Sequence, residues 1–139
     1  MSDWRDELAK RYPSLYRDYK GDPRKSTLAF GLSVGDGWRE IIENLSSEIS
    51  KIDKYNLVVV EQVKEKFGTL RFYFYVKEHE EVDHRNLFNR VFALVAKTEE
   101  KSGEICEKCG APGSLYGDER GWLKTLCDDC RKGGSDGKM

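Results

Sequence analysis

Apolar positions recur along this chain with two different periods. Trp4, Leu8 and Tyr12 stand four residues apart and predict a helix from Asp3 to about Tyr12. Ser2 suits its cap, Asp3, Asp6 and Glu7 suit the positive end of its dipole, and Pro13 ends it. Leu15, Tyr16 and Tyr19 offer a second short apolar turn. Residues 20–37 then lose the helical period. Gly21, Asp22, Pro23, Gly31, Gly35, Asp36 and Gly37 form turns, while Leu28, Phe30, Leu32 and Val34 alternate and predict a short extended piece. So long a connection is either a functional loop or a loop pinned to the core by those four residues. Helical spacing returns from about Gly37 to Ile52, where Trp38, Ile41, Ile42, Leu45, Ile49 and Ile52 form the core stripe and Asp36 is the expected cap.

The period then shortens to two. Asn56–Lys66 is rich in valine and Leu70–Lys77 alternates strictly, with Phe67-Gly68-Thr69 between them, the pattern of a β-hairpin. Leu70, Phe72, Phe74 and Val76 are expected to face the core, and Arg71, Tyr73, Tyr75 and Lys77 the other side; Leu57, Val59 and Val63 are expected on one face of the first strand. A second amphipathic helix runs from about Asp83 to Lys101, with Leu87, Val91, Leu94, Val95 and Thr98 inward, Phe88 and Phe92 widening the stripe and Gly103 just past the end. These elements predict an α+β fold, two or three helices packed on a small antiparallel hairpin or sheet. The expected organisation is a core over 1–103, a small module over 104–131 packed on it, and a flexible glycine-rich tail over 132–139.

Composition narrows the function without naming it. Charged residues make up 35% of the 139 residues, yet the formal net charge is −1 and both signs are mixed along the chain, which disfavours strong sequence-independent binding of nucleic acid. No apolar run is long enough to span a bilayer, so no membrane role is expected. The first residues lack a secretory pattern, and a cytoplasmic location is the expectation.

The strongest chemical signal is four cysteines in two pairs, Cys106, Cys109, Cys127 and Cys130, spaced C-x2-C-x17-C-x2-C. Two such hooks each supply two corners of a tetrahedron, the pattern of one structural Zn²⁺ with a closed shell. A disulfide framework would suit a secreted chain instead, and iron–sulfur ligation lacks its clustered spacing. Cys106-Glu107-Lys108-Cys109-Gly110 reads as a knuckle, Leu115-Tyr116 and Trp122–Leu126 as short strands, and Cys127-Asp128-Asp129-Cys130 as a helix start. That order resembles a treble-clef zinc module; the alternative is a zinc ribbon, whose second pair lies in another knuckle.

Other chemistry is weaker. His79 and His84 lie in an acidic stretch with Glu80, Glu81 and Asp83, which reads as a solvated loop rather than a second metal site. No phosphate-binding loop or nucleophile–base constellation is legible. Arg71, Tyr73, Tyr75 and Lys77 form the best binding face, since aromatics interleaved with bases stack on nucleobases or anchor a protein interface, unless a helix covers them. Trp122 and Lys124 raise the same possibility, although Trp122 is expected to pack between the module and the core.

The run Gln62-Val63-Lys64-Glu65-Lys66-Phe67-Gly68-Thr69-Leu70-Arg71-Phe72-Tyr73 resembles a segment of a family of small bacterial and phage proteins without an assigned activity. Those proteins continue to a tail similar to Cys106–Gly113 followed by Gly121–Cys127, so the resemblance covers about residues 37–130. In similar proteins the last ligand can be histidine; here it is Cys130. The resemblance implies a phage or mobile-element setting, in which small proteins often bind a host protein. Three functions remain: a zinc-stabilised non-enzymatic protein acting through a protein partner, a nucleic-acid-binding accessory protein, and a small enzyme.

Overall fold

The computed structural model of the protein describes residues 3–21, 24, 27–117 and 120–135. Helix α1 (Trp4–Arg11) is followed by two 3₁₀ turns (Thr27–Phe30 and Asp36–Trp38) and helix α2 (Arg39–Ile52). Strands β1 (Val58–Lys66) and β2 (Thr69–Val76) lead to α3 (His84–Ser102), and β3 (Ser114–Gly117), β4 (Leu123–Leu126) and α4 (Asp128–Ser135) complete the order. The architecture is α+β, with four helices and two antiparallel hairpins among the described residues. Helix α4 continues through residue 135, past the expected start of the tail; residues 136–139 lie outside the described residues.

The core forms where the apolar stripes meet. Trp38, Ile41, Ile42, Leu45 and Ile49 are buried against Leu87, Val91 and Val95 of α3 and the inner face of the sheet. Leu70, Phe72 and Val76 are buried as their alternation predicts, and Phe74 is half-buried against Phe88, with ring centroids 5.2 Å apart. Phe92 departs from expectation: it lies one turn beyond Phe88 and is exposed.

The hairpin corrects the expected faces of the first strand. A bulge between Val60 and Gln62 shifts the register, so Val58, Val60 and Val63 lie opposite Val76, Phe74 and Phe72, while Val59 lies opposite Tyr75 on the other face. Alternation cannot be read through an inserted residue, and the buried run of three valines concealed it. The turn consists of two residues, Phe67 and Gly68, with φ of 55° and 85°, the left-handed pair of a type I′ turn; Thr69 already belongs to β2.

Both edges of this two-stranded sheet are covered. On β2, the N–H groups of Leu70 and Phe72 donate to Ser102 Oγ (2.8 Å) and Glu99 Oε2 (2.9 Å) of α3. On β1, Val60 N–H donates to Leu15 O and Ser33 N–H donates to Val63 O, each at 2.9 Å. The long segment before α2 thus closes a sheet edge that would otherwise pair with other chains. Leu28 lies in a 3₁₀ turn, and only Ser33 makes a bridge, to Lys64, so the expected extended piece is absent.

Two expected caps also differ. Ser2 lies outside the described residues, and Asp3 caps α1 by accepting from Arg5 N–H at 2.9 Å. Asp36 does not cap its turn: its carboxylate accepts Trp4 Nε1–H at 2.9 Å and pairs with Arg5, tying α1 to the start of α2. These contacts, Trp4 first, hold the Asp36 carboxyl below the usual carboxylate range. At the other end of α2, buried Asp53 accepts Leu57 and Val58 N–H, both at 2.8 Å. Asp53→Ala is expected to lower stability by about 3 kcal/mol in urea unfolding, because it strands two buried amides that now donate to a carboxylate.

Candidate metal centre and binding surface

The chain reverses directly after α3. Gly103 and Glu104 lead into an isolated bridge between Ile105 and Pro112, inside which Cys106 N–H donates to Ala111 O (2.8 Å) and Gly110 N–H to Cys106 O (2.9 Å). Gly110 takes φ 86°, the conformation the knuckle requires. The hairpin of β3 and β4 follows, and Cys127 stands just before α4 with Cys130 in its first turn. The second pair therefore sits at a helix start, as expected of the treble-clef order rather than the ribbon.

All four sulfurs lie within 4.8 Å of one another. Cys109 and Cys127 Sγ are 3.6 Å apart, and Cys130 N–H donates to Cys127 Sγ at 3.3 Å. Burial pushes the Cys106 thiol up, but backbone hydrogen bonds at Cys127, Cys109 and Lys108 outweigh it and bring its pKa down to about 6. The Cys130 thiol is raised by its contacts with the sulfurs of Cys127, Cys109 and Cys106. The Cys109 thiol is raised as well: a backbone hydrogen bond at Ala111 lowers it, but its contacts with the sulfurs of Cys127 and Cys106 outweigh that. These four residues can hold one metal ion.

The metal module is joined to the core through the start of α2. Gly37 N–H donates to Glu107 O (2.7 Å), Gly35 N–H to Glu107 Oε2 (2.9 Å), and Trp38 Nε1–H to Ile105 O (2.9 Å). Glu107 therefore satisfies backbone donors at a helix start that no side chain of its own segment caps. A second join lies at the hairpin turn, where buried Thr125 donates its hydroxyl to Gly68 O at 2.7 Å.

The outer sheet face is open at Tyr73 and Tyr75, although Val59, opposite Tyr75 on the same face, is buried. Tyr73 and Tyr75 are 41% and 40% exposed, Lys77 is exposed and Arg71 is half-buried. The register adds residues that alternation in β2 alone did not reveal: Lys64 lies opposite Arg71, Gln62 opposite Tyr73 and Lys66 opposite Thr69. Trp122 does not fill the seam as expected. It is 66% exposed and, with Phe67 at 63%, flanks an open cleft of about 450 Å³ that Glu65, Lys66 and Leu123 also line. Phe67 is hidden from periodicity because it stands in the turn; its signal is an aromatic where such turns favour asparagine. Lys124 is exposed but stands apart. It adjoins Thr125, whose side chain reaches Gly68, so alternation turns Lys124 away from the core hairpin.

The histidines are engaged locally. His84 Nε2 lies 2.8 Å from Val76 O, and His79 stacks on Tyr55 and accepts Glu81 N–H. No helix among the described residues is long and apolar enough to cross a membrane.

No protein-family model, no curated protein and no solved structure matches the chain. The two sequence motifs therefore remain a resemblance.

Proposed function

We propose that this is a zinc-stabilised, non-enzymatic binding protein that acts through a protein partner, with Phe67 and Trp122 at the centre of the contact. Zinc is the ion that four clustered thiolates with no other donor favour, and a closed four-sulfur shell leaves no position for substrate. Thiolates about 2.3 Å from such an ion stand about 3.8 Å apart, comparable with the 3.6 Å between Cys109 and Cys127.

Phe67 is the observation that carries the reading. Its φ of 55° is one that bulky side chains avoid, yet its ring lies largely in solvent, where packing does little to offset the strain. Asparagine would suit the turn better. A strained, exposed aromatic beside an exposed tryptophan is costly for a monomer and useful to an interface, where such residues carry most of the binding energy. The resemblance to phage proteins suggests one version of this function, inhibition of a host system.

Phe67→Asn tests the reading because it separates stability from binding. The variant is expected to be more stable by about 1 kcal/mol, since asparagine tolerates the left-handed region. It is also expected to lose the partner. The measurement is affinity capture from a lysate of the encoding organism, with and without nuclease, read by mass spectrometry. A protein retained by the wild type after nuclease treatment and lost from the variant would support the proposal. Equal capture by both chains, or retention of nucleic acid alone, would reject it.

A further inference from the structure

The outer sheet face carries an unbalanced charge. Lys64 and Arg71 are direct cross-strand partners, and Lys66 stands two pairs further toward the turn, on the same face. Like charges placed opposite each other disfavour the hairpin they sit on. Some cations elsewhere are paired, Arg5 with Asp3, Lys20 with Asp6, Arg39 with Glu43 and Lys51 with Glu48. Lys64, Lys66, Arg71 and Lys77 make no ion pair among the described residues. The acids nearest them in sequence are Glu61 at the bulge, Glu78 beyond Lys77, and Glu65, whose carboxylate already accepts Gly68 N–H at 2.8 Å. Lys66 also lines the Phe67–Trp122 cleft, and its ammonium lies 5.5 Å from the Phe67 ring centroid. The cationic row and the aromatic cleft are therefore one surface that meets at Lys66.

We infer that the partner engages this surface through an acidic segment bearing an apolar anchor residue. The anchor seats between Phe67 and Trp122, and the carboxylates pair with Lys66, Lys64 and Arg71. This rests on the partner-binding reading above and adds the chemistry of the partner. A peptide suits the surface better than a nucleic acid does. The cations form one short row rather than a groove that tracks a phosphate backbone, and the row ends in an apolar cleft. The chain as a whole is slightly acidic, so its net charge does not draw a polyanion to it. Next to this surface the sheet edges already have partners, at Leu70 and Phe72 on β2 and at Val60 and Val63 on β1, so the segment lies across side chains and does not add a strand there.

The test is an amide-resonance titration of the isotope-labelled, metal-loaded protein with three probes. They are a glutamate/aspartate peptide with two central leucines, the same peptide with glycines replacing the leucines, and oligothymidylate. The leucine peptide is expected to shift the amides of Lys64, Lys66 and Arg71 and the Trp122 indole N–H, more strongly at low salt. Its affinity should fall at least about tenfold in Arg71→Glu. That variant places a carboxylate opposite Lys64, so the hairpin should keep or gain stability, and unchanged shifts elsewhere would show that it folds. Resonances unmoved by the leucine peptide, equal binding of the glycine peptide, or tighter binding of oligothymidylate at the same residues would each overturn the inference. A partner captured through Phe67 alongside a failed titration would leave the partner reading standing and remove only the acidic segment.

Discussion

Chelating the metal, or replacing Cys109 with serine, is expected to unfold residues 104–135 and to weaken the core without unfolding it. Cys109 is exposed, so its serine variant costs little packing and reports on the ion alone. The module has almost no core of its own: Cys106 and Thr125 are its only buried side chains among the described residues from 104 onward. Its fold is therefore expected to depend on an ion held by the four cysteines. Structural zinc contributes about 10–16 kcal/mol of apparent binding energy in small peptides, comparable to or larger than the 5–15 kcal/mol that holds a whole domain together. Once the module detaches, Gly35 N–H, Gly37 N–H and Trp38 Nε1–H lose their partners in residues 105 and 107. At about 1 kcal/mol for each such bond, the core should lose about 3 kcal/mol. Limited proteolysis and thermal unfolding of the metal-loaded, chelated and Cys109→Ser proteins would measure both effects. A chelated protein whose tail still resists protease would show that the ion is dispensable.

What was legible in the sequence followed from regular spacing. The α2 and α3 stripes repeat over three or more turns, and β2 alternates without interruption, so their inward residues follow from residue order, with Phe92 the exception. The four cysteines were legible because thiol chemistry admits few uses at that spacing. What was hidden depended on pairing between distant segments. The bulge next to Val60 moves Val63 to the other face from Val59, and nothing local marks it. Asp36 looked like a cap because it precedes a helix, but Trp4 and Arg5 claim its carboxylate from thirty residues away. Trp122, expected between the module and the core, is exposed. The seam is instead closed by backbone groups of Gly35, Gly37 and Gly68, which approach too closely to admit a ring.

The same close approach gives the sharpest test of how the module is mounted. Gly37→Ala is expected to destabilise the protein by at least about 3 kcal/mol, more than ordinary overpacking. A Cβ there would fall on the carbonyl oxygen of Cys106 and lie 2.6 Å from the carbonyl carbon and oxygen of Glu107. Those are backbone atoms of the knuckle, held in place by the bridge to Pro112 and by the ligands, so they cannot turn aside as a side chain would. The module must shift away from α2, and the 2.7 Å bond from Gly37 N–H to Glu107 O breaks with it. The cost therefore falls on metal retention as well as on unfolding, and the variant should surrender its ion at a lower chelator concentration. Gly103→Ala is the matched control: its nearest neighbours would be Glu100 O at 3.5 Å and Thr69 Cγ2 at 3.6 Å, ordinary contact distances. With φ −72° the site accepts alanine, and the restricted unfolded chain should leave that variant unchanged or more stable by up to about 1 kcal/mol. If the two variants unfolded alike, the knuckle would not be seated on the start of α2. A large difference, with metal loss confined to Gly37→Ala, would show that the ion and the core hold each other in place through the seat of the knuckle on the start of α2.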